Sequence, residues 1–246
     1  MKLEYVPLLA VQRELYGIPR GMERFRAYLS TMVDPATGDL ALPLPGMNPM
    51  GKDHVPMLLD QYLSAGSDEA AASAVCEAES LLSEVPGTFK VTLVLSDDAA
   101  GGWTNRYTSE FTARFGTKSY QRRGWIVGTL WTADPASPHR ARQEALTAVY
   151  RTAHIQRNGY AVILGEMLRQ EGYALSRAGC DEPKLNPEEI DYTREVISPY
   201  LETKDHASVM ACLFGDEAAA TLGYRPLGLS NRAGLALALY DARRTG

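Results

Sequence analysis

Cysteine is scarce in this sequence, and its positions do not suggest a structural framework. The chain contains three cysteines, Cys76, Cys180 and Cys212, which are far apart and never form a CxxC pair. Disulfide-stabilised domains and cysteine-rich zinc sites both need paired or clustered cysteines, so neither class is indicated. Free thiols in a reducing compartment are the expectation that follows.

Long apolar segments are also missing. A helix that crosses a bilayer needs roughly 20 apolar residues in succession, and no segment of this chain approaches that length. Charged and polar residues interrupt the apolar positions of residues 1–17, so the apolar core of a signal peptide is absent. These observations predict a soluble, cytoplasmic protein with no membrane association.

The best-known motifs of nucleotide binding and hydrolysis are absent as well. The sequence has no GxxxxGKS or GxxxxGKT phosphate loop, no GxGxxG after a strand, no HExxH and no GxSxG. Without them, P-loop, dinucleotide-binding, zinc-protease and serine-hydrolase functions lose their main sequence support. No catalytic residue can be assigned from a motif, and the reaction type stays unknown at this stage.

The centre of the chain has the pattern of a strand, a helix and a second strand. Residues 88–96 and 124–132 are rich in β-branched and aromatic residues, as strands are. Between them, residues 103–118 have an aromatic residue at every fourth position from Trp103 to Phe115, which indicates one packed helix face. A connection of this length that holds its own helix favours parallel strands.

Helical patterns dominate the sequence on both sides of this unit. Residues 22–32 carry apolar side chains at spacings of three and four, which predicts a helix with one apolar face. A longer predicted helix begins at Pro138 and stops at Asn158. The tripeptide KDH precedes two further predicted helices, at residues 52–54 and 204–206, and its aspartate is interpreted as a helix cap.

Together these patterns predict an α-rich α/β or α+β fold, in which a central strand-helix-strand unit is surrounded by helices. We expect one globular domain, residues 1–246. It comprises a helical N-terminal region (residues 1–86), a strand-helix-strand core (residues 87–135) and a helical C-terminal region (residues 136–246).

Charge is distributed unevenly along the chain. The net charge of the whole sequence is −5, whereas residues 99–178 carry +6 and the remainder carries −11. A basic middle segment can bind anions, or it can pair with acidic flanking segments inside one fold, and the second interpretation is favoured. Nucleic-acid binding is disfavoured, because the chain is acidic and its aromatic residues have core spacing.

A candidate site lies in the loop between the first strand and the helix, within the stretch LSDDAAGGWTNRYTSEF. Ligands of α/β units bind at the carboxyl ends of strands, near helix N-termini whose amides favour anions. Asp97 and Asp98 follow the strand, and either carboxylate can hold Mg²⁺, the candidate cofactor. The metal would reconcile these carboxylates with an anionic ligand, which they would otherwise repel.

The remaining residues of the loop are candidates for binding that ligand. Gly101 and Gly102 allow a close approach to the backbone. Thr104, Asn105 and Arg106 offer hydrogen bonds and positive charge. Ordinary turn chemistry uses the same aspartate and glycine residues and is the simpler interpretation, so a bare turn and a ligand site both stay open.

The predicted helix from Pro138 completes this hypothesis with two arginines. Arg140 and Arg151 lie on one polar face of the helix, together with Glu144 and His154. Glu144 and His154 are about 15 Å apart along the axis, too far for one metal ion or one proton transfer. A solvated or salt-bridged face is the simpler interpretation, although arginines turned toward a pocket would look the same in sequence.

Two functions follow as hypotheses. The first is a small-molecule-binding protein or enzyme that acts on an anionic metabolite at the 97–106 loop, with Mg²⁺ as a candidate cofactor. The second is a non-catalytic interaction or scaffold protein that forms homo-oligomers. The first requires polar groups that converge in a cleft at the strand end, whereas the second predicts that these groups pair with one another.

Overall fold

The sheet has three strands in a computed structural model that describes residues 1–44, 46–99 and 104–245. The strands are β1 (Lys2–Tyr5), β2 (Thr88–Ser96) and β3 (Trp125–Trp131). They are parallel in the order β1-β2-β3, so β2 lies in the centre. The predicted strand pair and its parallel connection are confirmed, whereas β1 is a strand that the sequence pattern did not predict.

The composition of β2 suits the centre of a parallel sheet. Its residues from Val91 to Ser96 are all buried, and a strand that is covered on both faces has a nearly continuous apolar run. β3 pairs with β2 in a register that ends with Ser96 opposite Trp131. The two strands therefore end side by side, and residues 97–99 lie next to residues 132–134.

Helices account for 57% of the residues that the structure describes. They are α1 (Leu8–Gly17), α2 (Met22–Met32), α3 (His54–Ser64), α4 (Ser67–Leu81), α5 (Arg106–Phe115), α6 (Lys118–Gln121), α7 (Pro138–Asn158), α8 (Leu164–Arg177), α9 (Pro187–Ile197), α10 (His206–Phe214), α11 (Asp216–Thr221) and α12 (Ala233–Thr245). None of the helices in the described residues has the length and apolar character that crossing a membrane requires. The prediction of an α-rich fold with a small parallel sheet is confirmed.

The chain divides into two compact units, Met1–Val149 and Tyr150–Gly246. The first unit holds the sheet and the helices from α1 to α6, and the second holds the helices from α8 to α12. α7 contributes residues to both units, because the division falls within it. The single globular domain expected for residues 1–246 stays a prediction.

Helices of the first unit contact every strand of the sheet. α4 contacts β1, α1 contacts β2, and α5 and α6 contact β3. Gln12 of α1 binds the centre of the sheet, because its amide donates to the Leu95 carbonyl at 3.1 Å and accepts from the Leu95 amide at 2.8 Å. α7 approaches β3 closely at Gly128, where an added Cβ would lie 3.1 Å from the Glu144 carbonyl oxygen. The predicted strand-helix-strand unit is thus packed among helices.

α2 forms where the sequence predicts it, but its apolar residues do not form a core face. Met22 and Leu29 are 57% and 44% exposed, whereas the buried side chain of this helix is Arg24. The guanidinium of Arg24 donates to the Ile18 carbonyl at 2.7 Å and lies over the Tyr16 ring. The predicted helix is present, but apolar spacing indicates one face of a helix and not whether another element covers it.

In the second unit, α8 and α12 pack closely against each other. Gly172 of α8 faces the Ala238 carbonyl of α12, and a Cβ at position 172 would collide with it. α12 also contacts α9 and α10, and its residues from Ala233 to Leu239 are buried. These helices supply the apolar core of the second unit.

Candidate functional site

The carboxyl ends of β2 and β3 bring polar residues together. Ser96 and Trp131 are paired in register, and the Thr132 amide donates to the Ser96 carbonyl at 3.0 Å. The residues that follow, 97–99 and 132–134, therefore share the edge at which parallel α/β sheets bind ligands. We call this region of the molecule the carboxyl edge.

Thr132 joins the two aspartates that the sequence identifies as candidate metal ligands. Its hydroxyl accepts hydrogen bonds from the amides of Asp98 and Ala99, at 3.0 and 3.1 Å. The same oxygen lies 3.2 Å from Oδ1 of Asp97 and 3.2 Å from Oδ1 of Asp98. Because a hydroxyl carries one proton, it donates to only one of these carboxylates at a time.

Asp97 is a buried carboxylate, 2% exposed, with donors at both oxygens. His54 Nε2 lies 2.7 Å from Oδ1, and Asn48 Nδ2 donates to Oδ2 at 2.8 Å. On the main chain, Thr104 donates to the Asp97 carbonyl through its amide, at 3.3 Å, and through its hydroxyl, at 3.0 Å. These contacts hold the carboxylate in one orientation.

The loop before α3 is folded so that Asn48 and His54 reach the carboxyl edge. The Asn48 carbonyl accepts hydrogen bonds from the Tyr16 hydroxyl at 2.5 Å and from the Gly51 amide at 2.9 Å. His54 follows as the first residue of α3. Burial raises the pKa of Tyr16, and the charge of Asp97 raises it further, as expected for a phenol close to a buried carboxylate.

Arg106, at the start of α5, is surrounded by carboxylates. Its guanidinium lies 2.7 Å from Asp98, 3.1 Å from Asp134 and 3.4 Å from Glu110. Its Cζ atom lies 4.4 Å from the centre of the Trp131 ring. Burial by itself would lower the pKa of Arg106, but the hydrogen bond to Asp98 and the negative charges around it raise this pKa. The side chain that the sequence assigns to an anionic ligand is already paired within the protein.

Arg140 has more capacity for a ligand than Arg106 has. Among the described residues its guanidinium makes one ion pair, 3.1 Å to Asp134, and the side chain is partly exposed. The hydroxyl of Tyr62 is fully buried and has no hydrogen-bond partner in the described ranges of the chain. Burial raises the pKa of Tyr62 to about 12, and the charges of Arg140 and Asp134 act on the same group. A buried, unpaired hydroxyl beside a charged cluster requires an explanation, and a bound ligand is one.

The structure brings five of the predicted site residues to the carboxyl edge: Asp97, Asp98, Thr104, Arg106 and Arg140. Asn105 serves as the cap of α5, accepting from the Thr108 amide at 3.1 Å. Gly101 and Gly102 lie outside the described residues, as does Trp103. Their predicted roles in ligand binding stay predictions.

Arg151, the remaining predicted residue, is bound by a carboxylate of the second unit. Its Nε and Nη2 atoms lie 2.7 and 3.0 Å from the two oxygens of Glu171, whose side chain is 0% exposed. Gln170 donates to the same carboxylate at 3.2 Å. This two-point pair agrees with the salt-bridged interpretation of the polar face of α7. Ligand binding by Arg151 stays a prediction.

The carboxylates of the carboxyl edge are arranged for hydrogen bonding rather than for Mg²⁺. No group of three or more His, Cys, Asp or Glu residues within the described ranges is placed to hold a metal ion. Mg²⁺ demands near-octahedral oxygen coordination, whereas Asp98 faces a guanidinium and Asp97 faces an imidazole and an amide. This donor set does not fit Mg²⁺, so metal binding stays a prediction that the contacts do not support.

His54, Asn48 and Tyr62 are residues of this region that the sequence pattern did not predict. The first KDH tripeptide, residues 52–54, lies in a segment that reaches the carboxyl edge, but the interpretation concerned its aspartate and not its histidine. Asp205 does cap its helix, accepting from a helix amide at 2.9 Å. Asp53 makes no such side-chain bond among the described residues, so the cap interpretation is wrong there. The histidine that follows it is the residue that reaches the carboxyl edge.

Comparison with known proteins gives no direct indication of function. No protein-family model matches the chain, and no match is found among curated proteins or solved structures. The function is therefore inferred from the geometry of the site.

Proposed function

We propose that the protein binds a small anionic metabolite at the carboxyl edge and acts on it as an enzyme. The observation that carries this proposal is the convergence of polar side chains from separate segments of the first unit. They are Asn48, His54, Asp97, Asp98, Arg106, Thr132, Asp134 and Arg140. They lie at the strand end where α/β sheets bind ligands.

Three groups in this region retain hydrogen-bonding capacity within the described residues. They are Nδ1 of His54, the hydroxyl of Tyr62 and the remaining N–H groups of Arg140. One is a ring nitrogen, one is a neutral hydroxyl and one is a permanent cation. Small-molecule sites use a few convergent polar groups of this kind to orient a ligand.

An anionic ligand suits Arg140 better than it suits Arg106. A guanidinium binds a carboxylate or a phosphate with two parallel hydrogen bonds. Arg106 already has three carboxylates around it, so a ligand would compete with them. Arg140 shares one of those carboxylates and keeps other donors for a ligand. We therefore expect the anionic group to contact Arg140, with the Tyr62 hydroxyl as a second donor.

A thermal-shift screen against phosphorylated and carboxylated metabolites tests this function. A ligand at about a hundred times its Kd stabilises the folded protein by roughly 2.7 kcal/mol, which is readily seen as a rise in Tm. We expect at least one such compound to raise the Tm of the wild type and to have no effect on Arg140→Gln.

Arg142→Gln is the matched control for this screen. Arg142 lies two residues further along α7, and its guanidinium pairs with Glu77 on the surface, at 2.6 Å. The control variant should therefore respond to the ligand as the wild type does. If no compound raises the Tm, or if Arg140→Gln keeps the full response, the proposed function is wrong.

A non-catalytic interaction protein that forms homo-oligomers is the second candidate. It is favoured by the pairing of Arg106 with three carboxylates and by the exposed Leu29 and Met22 of α2. Light scattering should then give the mass of an oligomer, and Leu29→Glu should reduce it to the monomer mass. Leu81→Glu, on another exposed apolar residue, should leave the mass unchanged. A monomeric wild type would exclude this candidate.

Nucleic-acid binding stays the least favoured candidate. Single-stranded nucleic acids stack their bases on exposed aromatic side chains. Trp125 and Trp131 are both buried in the sheet, and therefore neither is available for stacking.

A further inference from the structure

We propose that His54 is the proton-transfer residue of the carboxyl edge and that Asp97 positions it. Nε2 of His54 lies 2.7 Å from the buried carboxylate of Asp97, while the ring itself is 30% exposed. Nδ1, the second ring nitrogen, has no partner among the residues that the structure describes. The inference rests on the proposed function and adds to it the group that would exchange a proton with the ligand.

The contacts of Asp97 determine which nitrogen of His54 carries the proton. A carboxylate only accepts hydrogen bonds, so Nε2 is the N–H donor, and in the neutral ring Nδ1 then keeps its lone pair. Oδ2 of the same carboxylate is held by Asn48 at 2.8 Å, and Oδ1 is also within 3.2 Å of the Thr132 hydroxyl. With both oxygens engaged, the carboxylate cannot turn away, and the imidazole is held in one orientation and one tautomer.

The proton transfer itself requires only the imidazole and a hydroxyl group of the ligand or a water molecule. The lone pair of Nδ1 forms a new N–H bond, and the electron pair of the broken O–H bond stays on the oxygen. The ring then carries a positive charge at 2.7 Å from the Asp97 carboxylate, which stabilises it. The reverse step returns the proton to the ligand. The ligand class that fits is thus a small anion that either carries a hydroxyl group or reacts with a water molecule.

A purely structural histidine would be expected to look different. Buried polar groups are nearly always hydrogen-bonded, so a histidine held only for structure would be expected to use both ring nitrogens. His54 uses one ring nitrogen, the other has no partner among the described residues, and the side chain is 30% exposed.

Reaction with diethyl pyrocarbonate tests the proposal without any ligand. The reagent is attacked by an imidazole nitrogen that carries a lone pair, which forms an N–C bond and releases the carbonate leaving group. Peptide mass spectrometry gives the rate at each histidine separately. We expect His54 to react at least as fast as the more exposed His139, which serves as an internal control in the same molecule.

Asp97→Asn provides the second arm of the test. An amide can turn its NH₂ group toward Nε2, which moves the ring proton to Nδ1 and removes the reactive lone pair. We expect the rate at His54 to fall about tenfold or more while the rate at His139 is unchanged. A rate at His54 that is slow in the wild type, or unaffected by Asp97→Asn, would overturn the proposal.

Nitrogen NMR of the wild type keeps the proposal testable if the variant does not fold. Two-dimensional proton–nitrogen spectra of the imidazole report the tautomer directly, and we expect the proton on Nε2 of His54. A proton on Nδ1 would overturn the proposal. Neither experiment uses a metabolite, so failure of the thermal-shift screen and failure of this inference are distinguishable.

Discussion

Two buried carboxylates, Asp97 in the first unit and Glu171 in the second, have different partners. Glu171 is paired through both oxygens with Arg151, whose side chain is itself buried. Asp97 is paired with a partly exposed imidazole and with neutral donors. A guanidinium is charged at every physiological pH, whereas an imidazole gains and loses a proton near neutrality.

Burial of a carboxylate therefore does not by itself indicate a functional site. The pair of Arg151 and Glu171 is closed, because each charge is neutralised by a partner that is also removed from solvent. The pair of His54 and Asp97 is open, because one end reaches the surface with a nitrogen unused by any described residue. We therefore expect the first pair to matter for stability and the second pair to matter for chemistry.

Breaking the closed pair should have the largest effect on stability. Glu171→Gln leaves the guanidinium of Arg151 buried without a counter-charge, and loss of one partner of a buried ion pair costs about 3–5 kcal/mol. We expect a loss of this size in the free energy of unfolding, measured with urea.

Glu166→Gln is the control on the same helix. Glu166 accepts hydrogen bonds from the amides of Val162 and Ile163 at the exposed start of α8, and glutamine can serve in that position too. Glu166→Gln should lower the free energy of unfolding by far less than Glu171→Gln does. Replacing both partners, with Arg151→Met and Glu171→Leu together, should recover most of the loss, because no unpaired charge is then buried. A small effect of Glu171→Gln alone would contradict the comparison.

The strand-helix-strand unit is predictable from sequence because its signals are local. β-Branched runs define β2 and β3, and aromatic residues at every fourth position indicate the helix between them. The predicted packed face of that helix is wrong, because the buried residue of α5 is Glu110 and not one of the aromatics. β1 escapes prediction because it is four residues long and its partner, β2, begins at Thr88. A short strand of this kind is stabilised by a distant neighbour rather than by its own composition.

The residues of the candidate site likewise differ in whether the sequence predicts them, depending on whether they are close together in the chain. Asp97, Asp98 and Arg106 lie within ten positions of one another, so a sequence pattern identifies them as a group. His54 is 43 positions from Asp97, and only the packing of α3 and the preceding loop brings it there. Composition does not report such a contact, because nothing in the residues near His54 differs from an ordinary helix start.

Asp97→Asn should lower the free energy of unfolding by less than Glu171→Gln does. Asp97→Asn keeps the shape of the side chain. It leaves no buried positive charge without a partner, since the ring of His54 is partly exposed to solvent. Weakening one buried hydrogen-bonded contact of this kind costs about 1 kcal/mol. Urea unfolding of both variants under one set of conditions gives the difference. Equal losses would mean that both pairs are structural.

Asp68 is a third kind of carboxylate, because its partner is a neutral hydroxyl. Its substitution should change the stability of the fold least of the three. Tyr5 donates to Asp68 at 2.5 Å. Burial raises the pKa of Asp68, the hydrogen bond from Tyr5 opposes this, and the charge of Glu69 adds to the rise. A raised pKa means that the folded state binds the proton more tightly than the unfolded state does. Stability should therefore fall as pH rises from below 3.8, the ordinary value, through the raised value.

Asp68→Asn should remove this loss, because the amide oxygen still accepts from Tyr5 and carries no charge. We expect the Tm of the variant to approach and then exceed that of the wild type as pH rises toward neutrality. Glu69→Gln removes a charge from the same first turn of α4 at an exposed position, and so it controls for the helix dipole. If the two variants change Tm with pH in the same way, burial of Asp68 is not the cause. If they differ as expected, burial of a carboxylate whose partner is a neutral hydroxyl destabilises the fold at neutral pH, and the hydrogen bond from Tyr5 offsets only part of that cost.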